Sequence, residues 1–193
     1  FPLVALLGAQ GHPGRLFCQH RRLTDFSDNW REKEEAMALA VGKKAPDFTL
    51  VDTERKSRSL AEFKGKKLIL AFYPAAFTGV CTKEMCTLRD SLGELGNLGA
   101  AVVGVSVDTP FANKAFADQH KIPFPLLSDY ARQAIAAYGV QFPNLAGLTG
   151  YTAAKRSVFV LDREGVIRYM WVSDDPTKEP NYEEVKKAVQ QIK

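Results

Sequence analysis

Leu68-Ile69-Leu70-Ala71-Phe72 is an unbroken apolar run of strand length, and no other feature narrows the architecture as much. A strand that is apolar on both faces has to be covered on both, the condition of a central strand in a layered α/β sheet. The residues that follow agree with this. Pro74 ends the run. Thr78 to Leu98 has helical spacing, with Met85, Leu88, Leu92 and Leu95 on one side, and Ala101 to Val107 reads as a second buried strand.

Further strands and helices alternate around this unit. Phe48–Val51 is a short strand after Pro46, and Thr109-Pro110 starts a helix to about Lys121, with Pro at the first position. Phe124–Leu127 is a strand, Tyr130–Tyr138 a helix ended by Gly139, and Gln141–Thr152 a loop marked by Pro143, Gly147 and Gly150. Ser157–Leu161 and Val166–Val172 form a hairpin about the turn Asp162–Gly165. The aromatic Tyr169 and Trp171 on its return strand read as core residues rather than a dimer patch. Asn181 caps a closing helix whose first turn holds Glu183 and Glu184. The order β-β-α-β-α-β-α-β-β-α is a thioredoxin-like layout, an α/β fold with a mixed central sheet flanked by helices.

Residues 1–36 differ in character. Phe1–Leu7 is apolar, glycines and Pro13 follow, and no acidic residue precedes Asp25. A trimmed targeting segment has this composition. So does non-native or upstream sequence ahead of a start at Met37, the reading favoured because Met37-Ala38-Leu39-Ala40-Val41-Gly42 runs straight into the compact region. The expectation is therefore an extension, 1–36, and a domain, 37–193. Acidic and basic residues balance in the extension, so the net charge of +4 belongs to the domain. No dense Lys/Arg block argues for nucleic acid; the basic trio Lys64, Lys66 and Lys67 reads as a solvated turn before a strand. The longest apolar stretches fall short of a membrane span.

Cys18, Cys81 and Cys86 are the cysteines, too few and odd in number for a secreted disulfide framework, so a cytoplasmic setting is expected. Cys81 falls in the first turn of the helix that leaves the Leu68–Phe72 strand, at the sheet edge where α/β proteins bind ligands. Unpaired N–H groups and the helix dipole favour a thiolate there. Taken without its surroundings, the residue could equally be a buried, inert cysteine. His120 is the only histidine after residue 36 and belongs to another helix, which disfavours a Cys–His dyad. Cys81, Cys86 and one histidine do not make a zinc set, and no metal or cofactor is expected. Gly104-Val105-Ser106-Val107-Asp108 lacks the second glycine of a nucleophile elbow, and no phosphate loop is present. What remains is a thiolate held by a permanent cation and hydroxyl donors. Arg156 at a strand start and Arg89 within the helix are the candidates by position.

Pro74-x-x-x-Thr78-x-x-Cys81, with Phe77 before the threonine and Thr82-x-Glu84 after the cysteine, resembles the active-site motif of peroxiredoxins, the alkyl hydroperoxide reductase and thiol-specific antioxidant family. Arg156-Ser157-Val158-Phe159-Val160-Leu161-Asp162-x-x-Gly165 resembles the family's second signature, and Gly42-x-x-Ala45-Pro46-Asp47-Phe48 its usual start. The likeness covers about residues 40–190. It implies a thiol peroxidase acting on hydrogen peroxide and organic hydroperoxides. In that scheme Cys81 is the nucleophile, and Thr78 bonds the thiolate and the peroxide through its hydroxyl. Pro74 shields the sulfur, Arg156 stabilises the thiolate and the charge of the breaking O–O bond, and Glu84 orients the arginine.

Cys86 resembles the resolving cysteine of the bacterioferritin-comigratory, or Q-type, subfamily, five residues beyond the nucleophile. That likeness implies an intramolecular Cys81–Cys86 disulfide recycled by thioredoxin or a similar reductant. Residues i and i+5 of a straight helix have Cα atoms about 8.7 Å apart. A disulfide wants roughly 4.4–6.8 Å, so the bond would require the helix to open. The alternatives are a one-cysteine peroxidase with Cys86 packed inside, a thiol–disulfide oxidoreductase on the same fold, and a redox-inactive interaction or chaperone protein. Cys-x4-Cys, and Lys155-Arg156 where thioredoxins carry a proline, disfavour the oxidoreductase. Intact Pro74, Thr78, Cys81 and Arg156 speak against the inactive scaffold. A monomer or homodimer is expected.

Overall fold

The computed structural model describes residues 39–193. The expected extension, Cys18 and the Met37 boundary lie outside the described residues. Among the described residues, nine strands and five α-helices run in the order β1 (Thr49–Asp52), β2 (Ser57–Ser59), β3 (Lys67–Phe72), α1 (Gly79–Asp90), α2 (Leu92–Asn97), β4 (Ala100–Ser106), α3 (Pro110–His120), β5 (Leu126–Ser128), α4 (Gln133–Ala137), β6 (Gln141–Phe142), β7 (Ala153–Ala154), β8 (Ser157–Leu161), β9 (Ile167–Val172) and α5 (Tyr182–Gln191). Seven strands form one mixed sheet in the order β2-β1-β5-β4-β3-β8-β9. β3, β4 and β5 run parallel at its centre, and every other pairing is antiparallel.

All six residues of β3 are buried. Their alternation splits the core. Leu68, Leu70 and Phe72 face a layer that includes Phe159, Ile135 and Tyr138. Ile69, Ala71 and Tyr73 face a second layer with Met85 and Leu88 of α1, Phe116 of α3 and Val185 of α5. Gly104 of β4 allows this second layer to close. A Cβ there would stand 2.6 Å from Leu126 Cδ2 and 3.3 Å from both Met85 Sδ and Tyr73 Cε1, so its absence lets α1 lie close to the sheet.

Several local expectations hold. Asn181 accepts from the Glu183 and Glu184 N–H groups, and the Thr109 hydroxyl accepts from Ala112 N–H at the start of α3. Others change. The expected helix 78–98 divides at Ser91 into α1 and α2, and the glycines 93 and 96 supply poor helix propensity beyond the break. The expected loop 141–152 begins with β6, which pairs with β7 as a separate ribbon. β2 escapes periodicity because its three residues, Ser-Arg-Ser, carry no apolar signal. Lys67 is no part of a solvated turn. It opens β3, is buried, and its ammonium donates to the Val189 carbonyl of α5 at 3.0 Å. Tyr169 packs partly on the second layer, while Trp171 is half-buried on β9 at the edge of the sheet, where only one side has a neighbouring strand.

Candidate active site

Three elements meet at the carboxyl end of β3. Pro74 is buried and ends the strand, since proline has no N–H to continue the ladder. The chain then turns through Phe77, whose φ of 64° is unusual for a bulky residue and marks local strain. Its ring is half-exposed and leans on Phe116 at 5.3 Å and on His120 at 6.4 Å. Thr78 is extended and caps α1. Cys81 is therefore the third helical residue, among N–H groups with no intrahelical acceptor. It is 1% exposed.

Arg156 reaches this sulfur through strand register. Phe72 pairs with Ser157 across the antiparallel β3–β8 ladder, so the residue before β8 stands level with the loop after β3. Its carbonyl accepts from Ser173 N–H at 3.0 Å, which fixes its backbone. Arg156 Nη2 donates to Cys81 Sγ at 3.2 Å and to the Pro176 carbonyl at 2.9 Å, while Nη1 pairs with Glu84 Oε2. Glu84 lies three residues beyond Cys81 on the same face of α1, the spacing that lets both side chains meet one guanidinium. All three are buried. Lys83 on the outer face of α1 bonds Glu179 at 2.5 Å, so the segment after β9 is tied to the helix by Lys83 and to Arg156 through the Pro176 carbonyl.

Burial pushes the Glu84 carboxyl up to about 7 from its usual 4.5, against the pull of Arg156. Among the described residues, one of its oxygens, Oε1, has no hydrogen-bond partner, and neither does Arg156 Nε. Across that interval the folded protein keeps a proton on Glu84 that the unfolded chain has released. The group's contribution to stability therefore falls as pH rises through the window. Glu84→Gln should flatten this dependence, measured by denaturant unfolding across the same interval. Equal slopes in the two proteins would mean that the carboxyl ionises normally in the fold.

The remaining candidates fall differently. The Thr78 hydroxyl does not bond the Cys81 sulfur. It donates to the Ala75 carbonyl at 3.0 Å, because the turn brings that carbonyl beside it, and its oxygen is left as an acceptor. Arg89 is not the cation at Cys81. It bonds Asp90 at 2.8 Å and the His120 carbonyl at 2.5 Å, and the hydrogen bond to Asp90 raises its pKa. Cys86 is half-buried in the continuous helix, and both it and Cys81 are free. The His120 ring meets Phe116 edge to face, with centroids 5.0 Å apart.

Two contributors escaped the sequence. The Pro176 carbonyl cannot be read from side-chain type. Asp108 accepts from the Ala76 N–H at 2.8 Å, and its place just beyond β4, at the binding edge of the sheet, was the signal available. Among the described residues, no group of three or more metal-binding side chains converges, and no helix is long and apolar enough to cross a membrane.

The family model described as AhpC/TSA matches residues 41–170. The chain is 41% identical over 135 residues to "Putative peroxiredoxin bcp" of Coxiella burnetii, covering 70% of this chain and 89% of that protein. It is 40% identical over 133 residues to "Peroxiredoxin Q, chloroplastic" of Triticum aestivum, covering 69% of this chain and 59% of that longer protein. Among solved structures, that of "Peroxidoxin BcpB from Mycobacterium tuberculosis" superposes with a TM-score of 0.70 at 30% identity, over 81% of this chain and 99% of the other. "Xanthomonas campestris Peroxiredoxin Q" gives 0.65 at 27% identity, over 74% and 89%.

Proposed function

The chain belongs to the AhpC/TSA family and is a peroxiredoxin, an enzyme that reduces peroxide with a thiol, and from that premise we propose that Cys81 is the reacting thiol. The observation that carries this reading is the Arg156 guanidinium 3.2 Å from Cys81 Sγ in the first turn of α1. A permanent cation and the helix N-terminus both favour the thiolate. The sulfur attacks the nearer peroxide oxygen, an S–O bond forms and the O–O bond breaks. Its electron pair leaves on the second oxygen, which takes a proton and departs as water or alcohol. Arg156 stabilises the negative charge as it spreads along S–O–O. The acceptor face of the Thr78 oxygen receives the peroxide O–H, Pro74 keeps bulk water off the sulfur, and Glu84 holds the guanidinium in place.

Cys86 then resolves the sulfenic acid on Cys81. Its thiolate attacks the oxidised sulfur, the S–O bond breaks, the departing hydroxide takes up a proton and leaves as water, and a Cys81–Cys86 disulfide forms, to be reduced by thioredoxin or a similar dithiol. Because both cysteines lie in one unbroken helix, α1 must unwind for this step. An odd count of three cysteines, which makes no secreted disulfide framework, suits a compartment that keeps thiols reduced, such as the cytoplasm. The same geometry favours a second reading, in which Cys86 stays in its half-buried place and an external thiol attacks Cys81 directly.

Mass spectrometry after one equivalent of peroxide separates the two. Wild type should lose two hydrogens as an intramolecular disulfide. Cys86→Ser should still consume the equivalent, hold a sulfenic acid on Cys81, stall with thioredoxin, and proceed to sulfinic acid with more peroxide. Turnover of that variant at the wild-type rate would reject Cys86 as the resolving residue and leave the one-cysteine scheme.

A further inference from the structure

The loop from Tyr73 to Thr78 carries Pro74 and Thr78 and sets the start of α1, yet its backbone has few ties. Among the described residues, a single hydrogen bond joins the backbone of residues 74–77 to another element, from Ala76 N–H to Asp108 Oδ2 at 2.8 Å. Phe77, the next residue, holds its strained φ of 64°, so the loop needs an external constraint to keep this shape. The Phe77 ring rests on Phe116, but it is half-exposed and is a weak clamp alone.

Asp108 is well placed to act as that constraint. The Ser106 hydroxyl donates to the same Oδ2 at 2.9 Å, and its oxygen accepts from Asp108 N–H at 3.2 Å. Ser106 is fully buried, and its one proton goes to the carboxylate, although Asn113 Oδ1 also lies 3.2 Å away. Asn113 is occupied on other sides. Its Oδ1 accepts from the Tyr73 hydroxyl at 2.8 Å, and its Nδ2 donates to Ser128 Oγ at 3.1 Å. Burial pushes the Tyr73 pKa up, which keeps the phenol a donor. Ser106 at the end of β4 thus supports the carboxylate oxygen aimed at the Ala76 N–H, while Tyr73, Asn113 and Ser128 form a separate set of hydrogen bonds beside it. The rigid centre of the sheet holds the loop through this oxygen.

We propose that Asp108 is a positioning residue for peroxide reduction, acting through the Ala76 N–H to hold the Pro74–Thr78 loop where the peroxide must lie against Cys81. The proposal rests on Cys81 as the reacting thiol. The role needs an acceptor oxygen and no charge. Asparagine, with the same shape and an acceptor oxygen, can therefore replace Asp108, whereas alanine cannot.

The test compares Asp108→Ala, Asp108→Asn and wild type in single-turnover reaction with hydrogen peroxide and, at the same pH, in alkylation of Cys81 by iodoacetamide. Wild type and Cys81→Ser run alongside, so that failure of the Cys81 assignment shows separately as peroxide reduction surviving in Cys81→Ser. Asp108→Ala should slow the peroxide step roughly 10- to 100-fold, as expected for a displacement of about 1 Å. Its alkylation should be as fast as wild type, because the alkylating agent needs the thiolate but not the loop. Asp108→Asn should recover the peroxide rate to within a few-fold of wild type. If Asp108→Ala does not fold, Ser106→Ala, which frees the carboxylate from its support, should slow the peroxide step in the same selective way. A wild-type peroxide rate in the folded variant lacking the anchor would overturn the proposal. So would parallel loss of alkylation, or an Asn variant as slow as the Ala variant.

Discussion

Cys81→Ser should bring peroxide consumption down to background, a loss on the order of 10⁴-fold or more, as when other enzymes lose their nucleophile. A serine hydroxyl is protonated at neutral pH and its oxygen is a far weaker nucleophile toward peroxide than a thiolate. The fold should survive the change. Cys81 is 1% exposed and faces a guanidinium donor, so the smaller hydroxyl has a hydrogen-bond partner in place of the sulfur. The measurement is peroxide consumption with excess dithiol, alongside thermal melting. Turnover well above background in a folded Cys81→Ser protein would remove Cys81 from the reaction.

Arg156→Met should slow peroxide reduction by about 10²- to 10³-fold, the scale of losing one preorganised electrostatic donor. It should also reduce the thiolate absorbance of the resting protein. The variant carries a second effect that has to be separated from the first. Removing the guanidinium leaves Glu84 buried without its partner, and breaking such a pair typically destabilises by about 3–5 kcal/mol. Against a whole-domain stability of about 5–15 kcal/mol, that loss could be mistaken for a catalytic one. The double variant Arg156→Met/Glu84→Gln resolves this. It has no buried carboxyl stripped of its ion-pair partner, so it should regain most of the stability and none of the rate. Recovery of the rate together with the stability would make Arg156 a structural residue.

Much of the site could be read along the chain because it is local. Pro74, Thr78, Cys81, Glu84 and Cys86 belong to one strand–turn–helix passage. The burial of β3, the start of α1 and the caps at Thr109 and Asn181 follow from rules that act over a few residues. Arg156 is a different case. Its position at a strand start allowed two arginines, and only the resemblance of the segment that follows singled it out. The choice between Arg156 and Arg89 is made in space by the pairing of Phe72 with Ser157, which carries one guanidinium to Cys81 while Arg89 turns to the end of α3.

Side-chain partners were less legible than side-chain positions. The basic trio before β3 looked like a solvated turn, yet Lys67 is buried because α5 presents the Val189 carbonyl above it. Thr78 stands where the motif puts it, but its hydroxyl proton goes to Ala75, since a turn creates acceptors that no spacing rule counts. In the sequence Asp108 belongs only to a segment that lacks the second glycine of a nucleophile elbow, and its bond to Ala76 exists because parallel β3 and β4 end side by side. By itself, then, the sequence determined the layered architecture, the placing of Cys81 in a helix's first turn and the chemistry of its neighbours. These depend on apolar periodicity and backbone geometry, which are properties of short stretches. The tertiary structure alone decided where each hydroxyl proton points, which carboxylate anchors the loop and how strand register carries Arg156, already singled out by resemblance, to the sulfur. Those outcomes depend on strand register and burial between residues far apart in the chain, where a shift of one position would exchange every partner.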